Sequence, residues 1–438
     1  MVPFHGTGSG TGELSWGQRE LWGGMVRQQT WMPMGYVESL PGDTTVDDAV
    51  AELRLTMERY PSMRTRLRLR PDQPPLQVLS SAGEVPLEVV DTDADPAATA
   101  ELVHRRLSET DYDAEREWPV RRAVIRHRGR LTHQVTVVCH LVTDGFGAMV
   151  LAEEVLRWRA AGRHLDTPPT ATQPLEQAQW QQSPAGQRQN AAALRHWETL
   201  LRTIPARRFP GPIDPRRPRH WQAGFTSRAL HLAACVLARR SGVDRTTVLL
   251  TAFAVGLGTA TGIDPVVTRV VVSNRFRRQL ANSVSPVSQP GLCVLSVAGL
   301  PFDEALAHTR QRALVAYKHA YYDPNQLDAL IERVRRDRGE DVDIACYFNE
   351  RRPQDAGAGA TPTVAEVEAA LAQTRFHWMA QQDRPNERMF ITISDTPDTV
   401  DLDICGDTQH VPPDMLEACV RGMEAAAVRA AVRSDDEP

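Results

Sequence analysis

No stretch of the 438-residue chain approaches the roughly 18 uninterrupted apolar residues of a membrane helix, so a spanning segment is not expected. No C-x-x-C pair occurs either. The six cysteines, Cys139, Cys235, Cys293, Cys346, Cys405 and Cys419, stand singly, and neither a zinc site nor a disulfide framework is signalled. Most of them read as small core residues. Charge of one sign is not in excess: 50 Lys and Arg against 55 Asp and Glu leave a net −5, too mild for a nucleic-acid binder. The histidines are dispersed without metal-ligand spacing, and no Walker A loop or Rossmann glycine fingerprint is present. Met1 to Gly12 has no basic region followed by an apolar core, so it is read as a loose lead-in rather than a signal peptide, and the expected compartment is cytoplasmic.

What is present is an ordinary globular balance, 42% hydrophobic and 24% charged. The length exceeds the ~250–300 residues over which a single core usually grows, so two lobes are expected. Strand and helix patterns alternate in both halves, which predicts an α/β (α+β) fold of two similar parts. The expected division is a flexible 1–13, an N-terminal lobe over 14–180 and a C-terminal lobe over 181–438, with a Pro-, Thr- and Gln-rich crossing between Ala161 and Pro184. Helices are predicted at Ser15–Arg27, Val46–Tyr60, Ala191–Thr203, Arg228–Arg239, Thr246–Thr259, Asp303–Tyr321, Asn325–Arg338 and Met415–Val432. A hairpin is predicted where Val120–His127 and Thr132–Cys139 meet at Arg128-Gly129-Arg130. Another is expected around Asp395–Asp398, and a flexible loop over Ala356–Thr363.

The most informative segment is Val138 to Gly145. A β-branched run, Val135-Thr136-Val137-Val138, predicts a buried strand ending at His140, and Asp144-Gly145 then turns into a helix over Phe146–Arg159. An imidazole at a strand end, one loop from a carboxylate, suits a general base because an unperturbed histidine titrates near ~6.5. One histidine after one strand serves structure equally readily.

Five motifs together carry a resemblance. They are Leu14-Ser15-Trp16-Gly17-Gln18-Arg19-Glu20-Leu21-Trp22; Arg59 to Thr65; Cys139-His140-Leu141-Val142-Thr143-Asp144-Gly145; Leu175 to Trp180; and Ser273-Asn274-Arg275. In order and spacing the chain resembles the condensation-domain family of nonribosomal peptide synthesis, within the chloramphenicol-acetyltransferase-like, CoA-dependent acyltransferase superfamily. The resemblance implies two acetyltransferase-like lobes in a V-shaped pseudo-dimer with a central tunnel.

It also implies roles. His140 and Gly145 would be catalytic, His140 by activating an amine or hydroxyl acceptor and Gly145 by tight backbone approach at the oxyanion site. Asp144 would brace the loop with either Arg275 or Arg64. Ser285, Ser288 and Gln289 stand where the family has a tunnel-side stretch and are candidates for substrate binding. Gly147 departs from the serine often found there. Cys139 replaces the motif's first histidine, and reads as a buried inert thiol in preference to a nucleophile, because adjacent strand residues point to opposite faces.

The activity implied is that of a stand-alone acyltransferase forming an amide or ester from a phosphopantetheine thioester in natural-product (antibiotic) biosynthesis. No metal or bound cofactor is expected; the donor arrives as a phosphopantetheine or CoA thioester. An acyl or peptidyl carrier protein and a small-molecule acceptor are the expected partners of a monomer. Two alternatives stay open: a catalytically silent docking protein, and an acyl-CoA-dependent acyltransferase. Arg207-Arg208, Arg216-Arg217 with Arg219, and Arg351-Arg352 are either basic rims for an acidic carrier or solvated loop charges.

Overall fold

The computed structural model describes residues 1–163, 171–209, 211, 215–351, 361–384, 386–394 and 396–433. The chain forms two compact units: Met1–Arg188 with Ser273–Ser288, and Gln189–Val272 with Gln289–Pro438. The first boundary falls at 188 instead of 180, and a short segment far along the chain returns to the first unit.

Unit 1 runs through β1 (Val2–His5), β2 (Gly10–Glu13), α1 (Trp16–Gln28), β3 (Pro33–Ser39), α2 (Val46–Arg59), β4 (Thr65–Arg70), β5 (Gln73–Leu79), β6 (Ala82–Val85), β7 (Leu87–Thr92), α3 (Pro96–Glu109), β8 (Val120–His127), β9 (Arg130–Cys139), α4 (Gly145–Ala160) and α5 (Pro174–Gln182). Its main sheet has the order β3-β9-β8-β7, antiparallel except for the β7–β8 pair. The Arg128-Gly129 turn between β8 and β9 has positive φ at both residues, the geometry that matches strand twist in a two-residue hairpin.

Alternation in the strands gives the sheet two apolar faces. Ala123, Ile125, Val135 and Val137 meet Ala100, Val103 and Leu107 of α3. Val120 and Val138 cluster with Leu53 and Met57 of α2, and Val124 and Leu131 with Ala49. Each such large aliphatic side chain contributes about 1.5–3 kcal/mol when fully buried. α1 and α2 both begin with capping boxes, Ser15 with Gln18 and Thr45 with Asp48.

The lead-in is not loose. Val2 and Phe4 of β1 are core residues beside Leu53 and Met57. Arg64, expected as a possible partner of Asp144, lies buried and donates instead to the carbonyls of Thr7 (2.7 Å), Ser80 (2.6 Å) and Gly8 (3.4 Å). A guanidinium with three carbonyl acceptors anchors residues 7 and 8 to the end of β5, so the early segment is structured for a reason of hydrogen-bond supply.

Unit 2 contains most of α6 (Pro184–Thr203), then β10 (His220–Ser227), α7 (Arg228–Ser241), α8 (Arg245–Thr261), β11 (Val266–Val272), β12 (Gln289–Leu295), α9 (Phe302–Lys318), α10 (Pro324–Arg338), β13 (Cys346–Glu350), α11 (Val364–Ala370), β14 (Arg375–Gln382), β15 (Met389–Ser394), β16 (Val400–Asp407) and α12 (Pro413–Val432). The seven-stranded sheet has the order β12-β11-β13-β15-β16-β10-β14. Ala233 and Leu237 of α7, Leu250 and Phe253 of α8, and Met423 and Ala427 of α12 pack with Val270, Phe348, Ile391 and Ile404 on one face. At the β11–β12 end, Trp197 of α6 and Leu330 of α10 cluster with Val267 and Leu292.

β15 and β16 pair as the expected hairpin, with Asp395 outside the described residues. The expected flexible loop also falls largely outside them, over 352–360, as does the middle of the expected crossing, over 164–170; the rest of that crossing is taken up mainly by α5. No helix in the described residues is long and apolar enough to cross a membrane.

Candidate active site in unit 1

β9 carries the chain through the core of unit 1 and releases it at Cys139, and a single 3-10 turn spans His140–Val142. His140 is half-buried, and its backbone N–H donates to the Met32 carbonyl at 3.2 Å. Its Nδ1 lies 2.9 Å from the Thr143 carbonyl oxygen. A carbonyl only accepts, so Nδ1 carries the hydrogen, and in the neutral form of the ring the lone pair then belongs to Nε2. One loop residue therefore selects the tautomer that a general base needs.

Cys139 does different work. It is buried with Leu14, Met25, Leu67 and Leu141, and its thiol donates to the Trp31 carbonyl at 3.5 Å. Burial pushes the thiol up to about 12, despite smaller opposing effects from the Leu141 backbone and Arg121. A thiolate is the nucleophilic form, so this position is an inert core thiol.

Asp144 caps α4 by accepting from Gly147 N at 2.8 Å on Oδ1. Arg275 grips both carboxylate oxygens, Nη2 to Oδ1 at 2.7 Å and Nη1 to Oδ2 at 2.9 Å. Oδ2 also accepts from Val287 N (3.0 Å), Ser288 N (3.0 Å) and Ser288 Oγ (2.8 Å). Burial alone would raise this carboxyl, but the Arg275 guanidinium and the added hydrogen bonds outweigh it and hold the group below the usual carboxylate range.

Arg275 also donates to Ser283 O (2.9 Å), Ser285 O (3.2 Å) and Ser273 O (3.4 Å), and lies 5.7 Å from the Phe146 ring centre. Asn274, at φ +57°, donates to Val287 O at 2.9 Å. The segment 273–288 is thus folded around one guanidinium and seated on the N-terminus of α4. Of the two arginines weighed for Asp144, Arg275 is the partner.

The candidate substrate-binding trio is placed less openly than expected. Ser285 is fully buried, Ser288 is committed to Asp144, and Gln289 is buried in β12 with Nε2 donating to Tyr322 O at 2.9 Å. Ser288 and the Gln289 amide nitrogen are committed to protein partners, whereas Ser285 Oγ and Gln289 Oε1 are buried without a hydrogen-bond partner among the described residues. Ser285 and Gln289 are buried, and Ser288 is half-buried.

Gly145 also differs from expectation. A Cβ there would meet nothing within 4 Å, so no tight approach demands glycine; the space at the start of α4 is open. The tight position is Gly147, where a Cβ would fall 2.5 Å from Thr143 Oγ1, 3.2 Å from Ser283 O and 3.3 Å from Arg275 Nη2. In the sequence Gly147 stands out only as a departure from serine. Its signal is its place three residues after a capping aspartate, where the helix start must admit Arg275.

The first-turn N–H groups of α4 have no acceptors within the helix beyond the Asp144 cap, and the positive end of the helix dipole lies there. An imidazole, a helix N-terminus and an open first-turn glycine fall within six residues of chain. Elsewhere in the same unit, Trp180 of α5 packs edge-to-face on Trp16 of α1, ring centres 6.4 Å apart.

The basic clusters are largely engaged. Arg208 is buried and donates to the carbonyls of Asp343 and Pro205, Arg219 pairs with Asp407, and Arg217 pairs with Asp383; Arg352 is outside the described residues. Among the described residues no three His, Cys, Asp or Glu side chains converge as a metal site requires.

Residues 41–386 match the model of the condensation domain. Enniatin synthase of Fusarium equiseti is 21% identical over 379 residues, covering 83% of this chain but 12% of that synthase. Cyclosporin synthetase of Tolypocladium inflatum is 24% identical over 330 residues, 71% of this chain and 2% of the relative. The chain therefore spans a small part of the curated relatives it matches. The structure of the condensation domain described for chain release from the enacyloxin polyketide synthase superposes with a TM-score of 0.75 at 18% identity, covering 98% of this chain and 84% of that one. With the matched region spanning well over half the residues, and an α/β fold of the chloramphenicol-acetyltransferase-like kind, this chain belongs to the condensation-domain family.

Proposed function

We propose that the protein is a condensation-type acyltransferase that joins an acyl group, delivered as a phosphopantetheine thioester on a carrier protein, to an amine or hydroxyl acceptor. The observation that carries this reading is the Nδ1 hydrogen bond of His140 to the Thr143 carbonyl, which leaves the basic lone pair on Nε2. In the reaction the acceptor atom attacks the thioester carbonyl carbon while its proton passes to Nε2. The carbonyl oxygen gains negative charge, and the first-turn N–H groups at Gly145 and Phe146 are suited to receive it. Collapse breaks the C–S bond, and the proton on the imidazolium goes to the leaving thiolate. The products are an amide or ester and a free thiol, with the thioester supplying the driving force. The Asp144–Arg275 pair acts at a distance from the chemistry, holding the loop that presents the imidazole.

The test is product detection by intact mass after mixing the protein with candidate carrier-bound donors and acceptors. His140→Ala is expected to lower turnover by about 10²–10⁴-fold, the range of a lost general base, with thermal stability retained. A His140→Ala protein that turns over like the parent would exclude the reading. Comparing CoA-bound with carrier-bound donors separates the acyl-CoA alternative. A second reading, a silent docking protein, is favoured by Cys139 in place of the motif's first histidine; it predicts that pathway output depends on the protein's presence but is unchanged by His140→Ala.

A further inference from the structure

We propose that Cys235, in unit 2, is a reactive thiol at which the protein is oxidised by hydrogen peroxide, with His231 as its base and Arg245 as the neighbouring cation. His231 and Cys235 lie one turn apart on α7, so both project from one face of that helix. Cys235 Sγ is 3.8 Å from His231 Nε2, within hydrogen-bonding range for sulfur. From the start of α8, Arg245 Nη1 approaches the same sulfur at 3.9 Å. Nucleophile, base and charge stabiliser thus meet at one corner between two helices, and the thiol is partly exposed.

The other five cysteines present a different environment. Cys139, Cys293, Cys346 and Cys419 are buried. Burial pushes the thiols of Cys139, Cys293 and Cys346 up to about 12 and drives that of Cys419 upward as well. Cys405 is half-buried like Cys235, but burial first and the carboxylates of Asp407 and Glu387 second raise its thiol to about 12, and its sulfur accepts from Asn386 Nδ2 at 3.1 Å. Carboxylates oppose a thiolate, whereas an imidazole and a guanidinium favour one. Cys405 is therefore an internal control of similar exposure and opposite surroundings.

The step balances without further reactants. Cys235 Sγ attacks one peroxide oxygen while the thiol proton passes to His231 Nε2. The O–O bond breaks, and the departing hydroxide takes the proton from the imidazolium and leaves as water. Sulfur is oxidised by two electrons to a sulfenic acid, and peroxide is reduced. Arg245 stabilises the negative charge that grows on sulfur during attack.

The experiment exposes the native protein to limiting hydrogen peroxide, traps sulfenic acid with dimedone and quantifies each cysteine by peptide mass spectrometry. Cys235→Ser is the blank. The dimedone adduct at Cys235 is expected to exceed that at Cys405 by roughly tenfold, and His231→Gln to slow its formation by about fivefold or more, with the near-ultraviolet dichroism unchanged. Should His231→Gln not fold, Arg245→Gln carries the same comparison, with a slower adduct again expected. Equal labelling of Cys235 and Cys405, or a rate unchanged in the folded variant, overturns the proposal.

Discussion

Replacing Arg275 with methionine is expected to destabilise unit 1 by about 3–5 kcal/mol, the usual effect of leaving one member of a buried ion pair behind. The geometry supports the upper part of that range. The guanidinium satisfies both oxygens of Asp144, at 2.7 and 2.9 Å, and also the carbonyls of Ser283 and Ser285, so its loss strands acceptors on both sides of the loop. Unit 1 falls in the size range where each kcal/mol moves the melting temperature about 2–4 °C, which gives an expected drop of roughly 6–20 °C by calorimetry. Asp144→Asn with Arg275→Met removes both charges together. That double variant should therefore lose less than the two single losses combined, by at least about 1 kcal/mol. A loss below about 1 kcal/mol for Arg275→Met, or strict additivity in the double variant, refutes the reasoning. The same pair fixes a pH dependence. Because the folded carboxyl is held below its unfolded value, the unfolded chain binds the proton first as pH falls. This stability is therefore present above pH ~4 and is lost as pH drops through the folded pKa, and Asp144→Asn should flatten that acid limb.

Gly147→Ala should cost about 1–3 kcal/mol in a urea melt, because the new methyl falls 2.5 Å from Thr143 Oγ1, whereas Gly145→Ala should be tolerated by the fold. Cys139→Ala should keep turnover within about twofold while lowering stability by roughly 1 kcal/mol, which separates a packing thiol from a nucleophile. In unit 2, His196 stacks on His319 with ring centres 4.4 Å apart, and burial, with a smaller effect from His319, pulls its pKa down to about 4. Its neutral form is the folded one, so stability should fall as pH drops from about 6.5 towards 4, by ~1–2 kcal/mol after allowance for solvent access. His196→Phe, which keeps a flat ring in the stack, should remove that slope in melting temperature against pH.

The parts of the fold legible in the sequence are those whose signal is local. The β-branched runs Val120–His127 and Thr132–Cys139, and the glycine between them, define β8, β9 and their turn within a few residues. Ser15 with Gln18 marks the start of α1 by a hydrogen-bond exchange confined to four residues. β14 is hidden because Arg375–Gln382 is exposed on nearly every residue, and the Arg-Phe-His-Trp alternation at its start is too short to mark a strand; its order comes from pairing with β10, about 150 residues earlier. The short β1 is hidden for a related reason, since what anchors the chain beside it is a distant guanidinium on Arg64. At the site, His140, Asp144 and Arg275 are readable as a set. Their assignments are not: the choice between Arg275 and Arg64, and between Gly145 and Gly147, depends on which backbone segments meet, a property of long-range packing.

The return of Ser273–Ser288 to unit 1 sets an order of events during synthesis. When residue 188 leaves the ribosome, Asp144 has been made but Arg275, Val287 and Ser288 have not, and the 84 residues 189–272 must be translated first. At about 5–20 residues per second that interval is roughly 4–17 s. During it the nascent first unit holds a carboxylate it cannot bury at low cost, so its loop from His140 to Gly147 stays open until the segment arrives. A gene cut after residue 188 would therefore yield an incomplete body, and a functional split of this chain must keep residues 273–288 with the piece that carries His140.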